Sequence, residues 1–302
     1  MSTQAVLDKN IKKSSDTKLE SLSRNIKKQR IVRNIICIFL CIMSLLPFYI
    51  MIINSTRPSA AIQQGLSLIP SNQFLSNVRK LIVKSAGVGT PLYKAMFNSL
   101  FISVPATFFA VYFSSMTAYG IYVYHFKLRK VAWSFILGIM MIPMQVSIIG
   151  FYKFMIQLGM NDSYIPLIIP AIAAPSTVFF MRQYMKTALP LEIVDAARID
   201  GSGEFNTFNT VVMPLMKPAI ATQAIFAFIA SWNNLYTPSI ILSSSTKYTL
   251  PMFVQVLRSE QFRSDYGVIY AGLLLTVLPL FVVYFALSKY IIAGVALGGV
   301  KE

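Results

Sequence analysis

The sequence predicts an all-α, polytopic membrane protein with about six transmembrane helices. Three observations carry that expectation. Of the 302 residues, 55% are hydrophobic and only 13% charged, about half the charged share of an ordinary soluble domain. Mean hydropathy is +0.61. The apolar residues also fall into runs long enough to cross ~30 Å of hydrocarbon, each needing about 20 residues. Within lipid every backbone polar group must be satisfied inside its own segment, so such runs are helices rather than open strands.

The runs are taken in order. Residues 1–33 are polar and carry nine Lys or Arg against three Asp or Glu. The apolar stretch behind them is too long for a signal peptide and lacks a small-residue cleavage site. This segment reads as a basic cytosolic N-terminal tail, partly helical or disordered, either solvated or lying on anionic lipid. The first apolar run is Asn34–Ile53. An outer loop follows it, so 34–93 forms a unit of first helix plus loop. The second run is about Met96–Tyr122, the third Val131–Phe151 and the fourth Ile165–Phe180, reaching toward Met185. The fifth is Ala219–Leu242, and the sixth Val268–Leu287, reaching toward Ala293. Residues 94–293 are thus the main transmembrane domain, with a polar loop at 189–218, and 294–302 is a short C-terminal tail.

Charge gives orientation. With the N-terminus inside, the inner segments 1–33, 123–130, 182–217 and the C-terminal end hold 18 of the 27 Lys and Arg. Excess positive charge inside is the expected pattern. The net charge of +16 therefore reads as topogenic, and half-apolar spans exclude a nucleic-acid-binding protein. No Asp, Glu, His, Lys or Arg sits in the central part of any span. Intramembrane charges mark proton or ion pathways, and a hydrolase needs a nucleophile with its base. Neither a proton-coupled carrier nor an intramembrane enzyme fits. Cys37 and Cys41, four apart in an apolar run, have no nearby His or carboxylate and make no zinc site; His125 is the single histidine. Asn54-Ser55-Thr56 and Asn161-Asp162-Ser163 match glycosylation sequons.

The longest inner loop reads LPLEIVDAARIDGSGEFNTFNTVVMPLMKP, from Leu189 to Pro218. Pro190 suits a helical first turn, and Glu192 and Asp195 lie near the positive end of the helix dipole. Gly201 can adopt φ > 0 and stop the helix. A second short helix over about Glu204–Val212 then leads to Pro214 and Pro218. The result is a helix–glycine–helix hairpin whose small residues permit close approach of another backbone, which is the shape of a docking element.

These residues resemble the ABC-importer permeases, whose "EAA" loop runs acid, two alanines, three residues, glycine, nine residues, aliphatic-x-aliphatic-Pro. Here the run is Asp195-Ala196-Ala197, Gly201, then Val211 to Met213-Pro214. Asp replaces the usual Glu, and Val211 and Met213 replace Ile and Leu. SWNNLYTPSIIL, YTLPMFVQV, KYIIAGVALGGVKE, NSLFISVPATFFAVYFSSMTAYG and IPMQVSIIGFYKFMIQLGMNDSY further resemble the maltose-type carbohydrate permeases, specifically the smaller permease subunit, over about Asn34–Glu302.

The resemblance implies a type I ABC importer permease fold and a multi-pass subunit of a bacterial plasma membrane with both termini cytosolic. It implies a second permease subunit, two ATP-binding subunits and an extracytoplasmic sugar-binding protein as partners. The function implied is ATP-driven import of carbohydrates, oligosaccharides foremost; glycerol phosphate or a polyamine is the alternative solute. The chain has no phosphate-binding loop of the G-x-x-x-x-G-K-[ST] kind, so ATP and Mg belong to the partner ATPase, no cofactor is bound here, and the chain is not itself an enzyme. Asp195, Ala196, Ala197, Asp200, Gly201 and Pro214 are expected to couple to the ATPase. Gly298, Gly299 and Lys301 either reach between the ATPase subunits or form a frayed end. The outer loop from about Ser243 to Tyr266 either probes the binding protein or is a plain connector. Trp232, Asn233 and Asn234, mid-span, either touch sugar or join helices.

Overall fold

The computed structural model describes residues 3–87, 89–257 and 265–298, with side chains described for all of these except residues 3–25, 144, 145 and 290–298. Every regular element among them is helical.

Helix α1, Thr3–Ser55, runs unbroken from the basic tail through the first apolar run, with Pro47 inside it. The tail expected to be partly helical or disordered therefore has a helical backbone continuous with the span. Two short helices follow, α2 (Ser59–Gln63) and α3 (Phe74–Gly87). Asn77, Leu81 and Ser85, spaced four apart, are the buried residues of α3, which packs against the last helix.

Helix α4, Leu92–Val123, is the hub. Its buried face carries Ala95, Ser99, Ser103, Ala106, Ala110, Ser114 and Ala118, small residues three or four apart on one side of a helix. In a bilayer, helices associate through close packing rather than hydrophobic expulsion, and small residues let backbones approach. Helices α8 (Pro175–Ala188) and α12 (Lys217–Trp232) lie in that stripe. Helix α15, Tyr266–Gly298, with Pro279 inside, packs on α12, α1 and α3.

Among the described residues, four segments are long and apolar enough to cross a membrane: Ile26–Ser55, Leu92–Val123, Ile165–Ala188 and Tyr266–Lys289. Glu204–Leu215 and Lys217–Ile241, bent by 84° at the break between them, reach that length and hydropathy as a pair and make a fifth span if taken as one. The single span expected over Val131–Phe151 is instead two helices, α5 (Arg129–Met140) and α6 (Met144–Gln157). Pro143 stands between them with φ −62° and ψ 124°. Proline lacks the N–H that would continue α5 and forces its predecessor out of the helical region. The fourth span opens with α7 (Ile165–Ile168) and a 3₁₀ turn, Ile169–Ile172, before α8.

The remaining elements sit at the two ends of the bundle. At the end where α4 and α8 finish lie α9 (Leu191–Ile199), α10 (Glu204–Thr207), a π turn (Phe208–Val212) and α11 (Met213–Leu215). At the far end, where α4 begins, lie α13 (Tyr236–Ile241), a 3₁₀ turn (Ser245–Lys247) and α14 (Leu250–Val256). Each end has its own apolar core. Met181, Met185, Leu189, Val194, Phe208, Val212 and Met216 fill the first; Leu81, Phe228, Trp232, Leu250, Phe253 and Leu257 fill the second.

Candidate functional site: the two-helix knuckle

The predicted hairpin forms, and its geometry follows from its sequence. Pro190, extended at ψ 133°, precedes α9. Gly201 ends the helix with φ +80°. Its N–H donates to Arg198 O at 3.0 Å, and the Ser202 N–H donates to Ala197 O at 2.9 Å. This crossed pair of bonds is the Schellman closure, which needs a left-handed residue at the position Gly201 holds. Gly203 then starts α10, where Ser202 Oγ accepts from Asn206 Nδ2 at 3.0 Å and from Thr207 Oγ1 at 2.9 Å. The next five residues wind as a π turn, whose extra residue per turn shifts the helical register. Phe208 and Val212, four apart, are both buried.

Two sets of contacts seat the knuckle. Val194, Phe208 and Val212 drop into the core formed by α4 and α8. Above them Glu204 collects three donors. Its Oε2 accepts from Tyr119 Oη at 3.0 Å and Tyr124 Oη at 2.6 Å, and its Oε1 accepts from Arg198 Nε at 2.7 Å. Arg198 Nη1 also reaches Asp195 Oδ1 at 3.0 Å, so one guanidinium joins both helices of the knuckle. The same guanidinium lies 5.8 Å from the centre of the Tyr124 ring, inside cation–π range. Burial first, and the Glu204 carboxylate second, push the Tyr124 phenol above its ordinary value, so it remains a donor. Tyr112 Oη adds a bond to Asn209 Oδ1 at 3.1 Å. The knuckle is thereby tied at three tyrosines, Tyr112 and Tyr119 of α4 and Tyr124, the residue that caps that helix.

Its other face is open. Asp195, Ala196, Asp200, Gly201 and Pro214 are exposed and Ala197 is half-buried. Ile199 is 87% exposed and Phe205 67%, two large apolar side chains flanking the glycine turn. This face offers backbone that can be approached closely, an apolar pair and carboxylates around them. Glu204→Ala leaves the Tyr119 hydroxyl, on a residue only 3% exposed, without its acceptor. An unsatisfied buried donor costs about 1–3 kcal/mol. The expected outcome is a lowered thermal midpoint and faster amide exchange confined to 198–212, read by exchange mass spectrometry; Glu204→Gln, which keeps an acceptor, should lose less.

The other expected site residues lie elsewhere. Trp232 is 2% exposed, stacked on Phe228 with ring centres 5.3 Å apart, and its Nε1 donates to Thr276 O at 3.3 Å. That is the environment of a residue joining α12 to α15. Asn234 Oδ1 accepts from the Thr237 N–H at 3.2 Å and its Nδ2 donates to Thr237 Oγ1 at 3.3 Å, so it starts α13. Asn233 is exposed at the break between α12 and α13. Gly298 ends α15, while Gly299 and Lys301 lie outside the described residues. Glu204, Tyr119, Tyr124 and the bridging role of Arg198 escaped the sequence reading. The Asp195–Arg198 spacing of three was a usable signal for a helical ion pair; the tyrosines, about 80 residues away, gave none.

Comparison with known proteins places this arrangement. The family described as "Binding-protein-dependent transport system inner membrane component" matches residues 110–296, a stretch that contains the whole knuckle. The chain is 36% identical to the arabinooligosaccharides transport system permease protein AraQ of Halalkalibacterium halodurans, over 87% of this chain and 93% of that one. It is 31% identical to the lactose transport system permease protein LacG of Rhizobium radiobacter, over 86% of this chain and 92% of that one. Its fold matches a chain of a bacterial ABC transporter involved in the import of the acidic polysaccharide alginate, with a TM-score of 0.73, 22% identity, and coverage of 86% of this chain and 95% of that chain. With a family match over most of its helical bundle and relatives of this identity along nearly its full length, the chain belongs to the inner-membrane components of binding-protein-dependent transport systems, as a multi-pass transport permease and not an enzyme.

Proposed function

We propose that this chain is one of two permease subunits of an ATP-driven oligosaccharide importer in a bacterial plasma membrane. The observation that carries the reading is the knuckle: a glycine-turned hairpin, seated on α4 by Glu204 and open on its other face, in a chain without a nucleotide-binding loop. The knuckle end faces the cytosol, where the topogenic charges collect, and both termini lie on that side. Two ATP-binding subunits supply ATP and Mg. One of them receives the exposed face of Asp195, Ala196, Ala197, Asp200 and Gly201 in a cleft, with Pro214 setting the return of the chain to the membrane. The C-terminal Gly298, Gly299 and Lys301 reach the same subunits. An extracytoplasmic sugar-binding protein docks at the far end. The solutes named for AraQ and LacG support a sugar as cargo, and an arabino-oligosaccharide first.

ATP closure of the ATPase pair moves the knuckle. Because the knuckle is bonded to α4, the motion passes into the bundle as a rigid-body change rather than a local one, which is the kind of two-state element that coupling requires. Asn233, exposed at the break between α12 and α13, is the residue we assign to the solute path; Trp232 and Asn234 shape that break.

The test is reconstitution. The tagged chain, purified with its partners and placed in proteoliposomes, is given labelled arabinotriose, lactose or glycerol 3-phosphate. ATP-dependent accumulation of a saccharide is expected. Accumulation of glycerol 3-phosphate alone overturns the sugar assignment. In a Cys37→Ser, Cys41→Ser background, Ala196→Cys should react with a charged thiol reagent only from the cytosolic side; labelling from outside intact cells overturns the orientation.

A further inference from the structure

Asp162, which the sequence offered only as the middle of a sequon, holds the far end of the molecule together. It lies between α6 and α7, and among the described residues it is the one non-glycine residue with positive φ, 53°. Such a conformation persists where surrounding contacts over-determine it, and here they do. Oδ1 accepts from the backbone N–H of Ser243 at 3.0 Å and of Ser244 at 3.1 Å. Oδ2 accepts from Ser244 Oγ at 2.7 Å and from Lys247 Nζ at 2.9 Å. The Asp162 N–H donates to Ile241 O at 2.8 Å, and its carbonyl accepts a further bond from Lys247 Nζ. The Ser244 hydroxyl first, then the Ser244 N–H and Lys247, hold the carboxyl well below its usual range. The clasp is therefore charged above the ordinary carboxylate pKa, and it weakens only as pH falls through the depressed value.

The segment it grips is gripped from the other side as well. Asn98 Nδ2 donates to Thr246 O at 3.0 Å and to Tyr248 O at 2.9 Å, and Ser99 Oγ accepts from the Leu250 N–H at 2.7 Å. Ile241, Leu242 and Met252 pack beneath with Met155. Residues 242–250 contain one short turn and little regular structure, yet their backbone is fixed by side chains from α4 and from the α6–α7 loop. Ser243, Ser244 and Thr246 remain exposed on top. The outcome is a rigid ledge with Ser243, Ser244 and Thr246 on its exposed side, at the end away from the knuckle.

We propose that Asp162 is a positioning residue for docking at this end: it presets the ledge 243–248 in the shape that receives the extracytoplasmic binding protein. The proposal rests on the reading of the chain as an importer permease with its far end outside. An irregular segment that had to be ordered on contact would weaken docking by that ordering cost; a pre-ordered one does not. Loss of the clasp thus acts on affinity and leaves turnover, which is driven from the knuckle, in place.

The experiment uses the assembled transporter in nanodiscs, titrated with its sugar-loaded binding protein while ATP hydrolysis is followed. Asp162→Gly removes the carboxylate and relieves the left-handed backbone at once. It is expected to raise the half-saturating concentration of binding protein at least tenfold, with the maximal rate within twofold of wild type. Asp162→Asn, which keeps an acceptor for the two amides, and Lys247→Met, which keeps the carboxylate, should each shift it about threefold. An unchanged half-saturating concentration in Asp162→Gly, or an equal fall in maximal rate across the series, overturns the proposal. If Asp162→Gly does not assemble, the other two variants decide by the same criterion. A wild-type complex indifferent to its binding protein overturns the importer reading itself, and that failure shows before any substitution is made.

Discussion

Gly201→Asp is expected to cut solute uptake at least tenfold while the protein still inserts and folds. Two facts set that split. Gly201 has φ +80°, where a side chain costs about 1–2 kcal/mol per residue and Asp, with Asn, is among the residues that tolerate it best. A Cβ built on Gly201 also meets nothing within 4 Å. Folding of this chain thus has room for the substitution. The exposed turn between Ile199 and Phe205 does not, once a partner's surface lies against it, because a carboxylate then has to be desolvated in the contact. A tenfold loss corresponds to about 1.4 kcal/mol, well below the cost of burying an unpaired charge. Uptake per unit of membrane-inserted protein measures it, with Gly201→Ala expected to show a smaller loss. Normal uptake by Gly201→Asp removes the turn from the coupling contact.

Gly267→Ala is expected to act in the opposite sense, on the fold and not on coupling. Its Cβ would lie 2.6 Å from the backbone oxygen of Arg57 and 2.7 Å from Asn77 Nδ2. Neither can retreat. The Asn77 amide spans Ser55 O at 2.9 Å and Arg57 O at 3.1 Å. Arg57 is itself buried, donating to Asn54 Oδ1 at 3.1 Å and Ala61 O at 2.7 Å. Overpacking costs about 1–3 kcal/mol, and breaking the Asn77 bonds adds about 1–3 kcal/mol more. Against a total stability of about 5–15 kcal/mol, the expected result is a severalfold fall in the amount of inserted protein and a lower thermal midpoint. Gly272→Ala is the control. Its Cβ would meet Leu257 Cδ1 at 2.6 Å, the far end of a side chain packed in the second core rather than hydrogen-bonded backbone, so its loss should be smaller. Equal losses at the two glycines would show that the Arg57–Asn77 junction is not rigid.

The two glycines also mark what the sequence reveals and what it hides. Gly201 was legible because it punctuates a helical pattern between an acidic start and two prolines, all within one loop. Gly267 was not: its constraint comes from Arg57 and Asn77, about 200 residues upstream, and carries no local signature. The spans were legible as apolar runs, but the break at Pro143 was read through because hydropathy stays high on both sides of it. The knuckle's outline was visible from spacing, whereas its anchor at Glu204 depends on Tyr119 and Tyr124 of another helix. Asp162 was hidden because its partners Ser243, Ser244 and Lys247 lie about 80 residues downstream and leave no local signature.

Helix α4 is bonded to the knuckle at Tyr119 and to the ledge 243–248 at Asn98. Between those two residues a helix measures about 32 Å at 1.5 Å per residue. Mechanically this is a lever arm. A tilt of about 5° at the Tyr119 end swings the Asn98 end by about 3 Å, the length of a hydrogen bond. A modest displacement of the hairpin is therefore enough to make or break individual contacts at the opposite end of the bundle, with Pro105, which has no N–H to give to the helix, as the point along the arm most open to flexing.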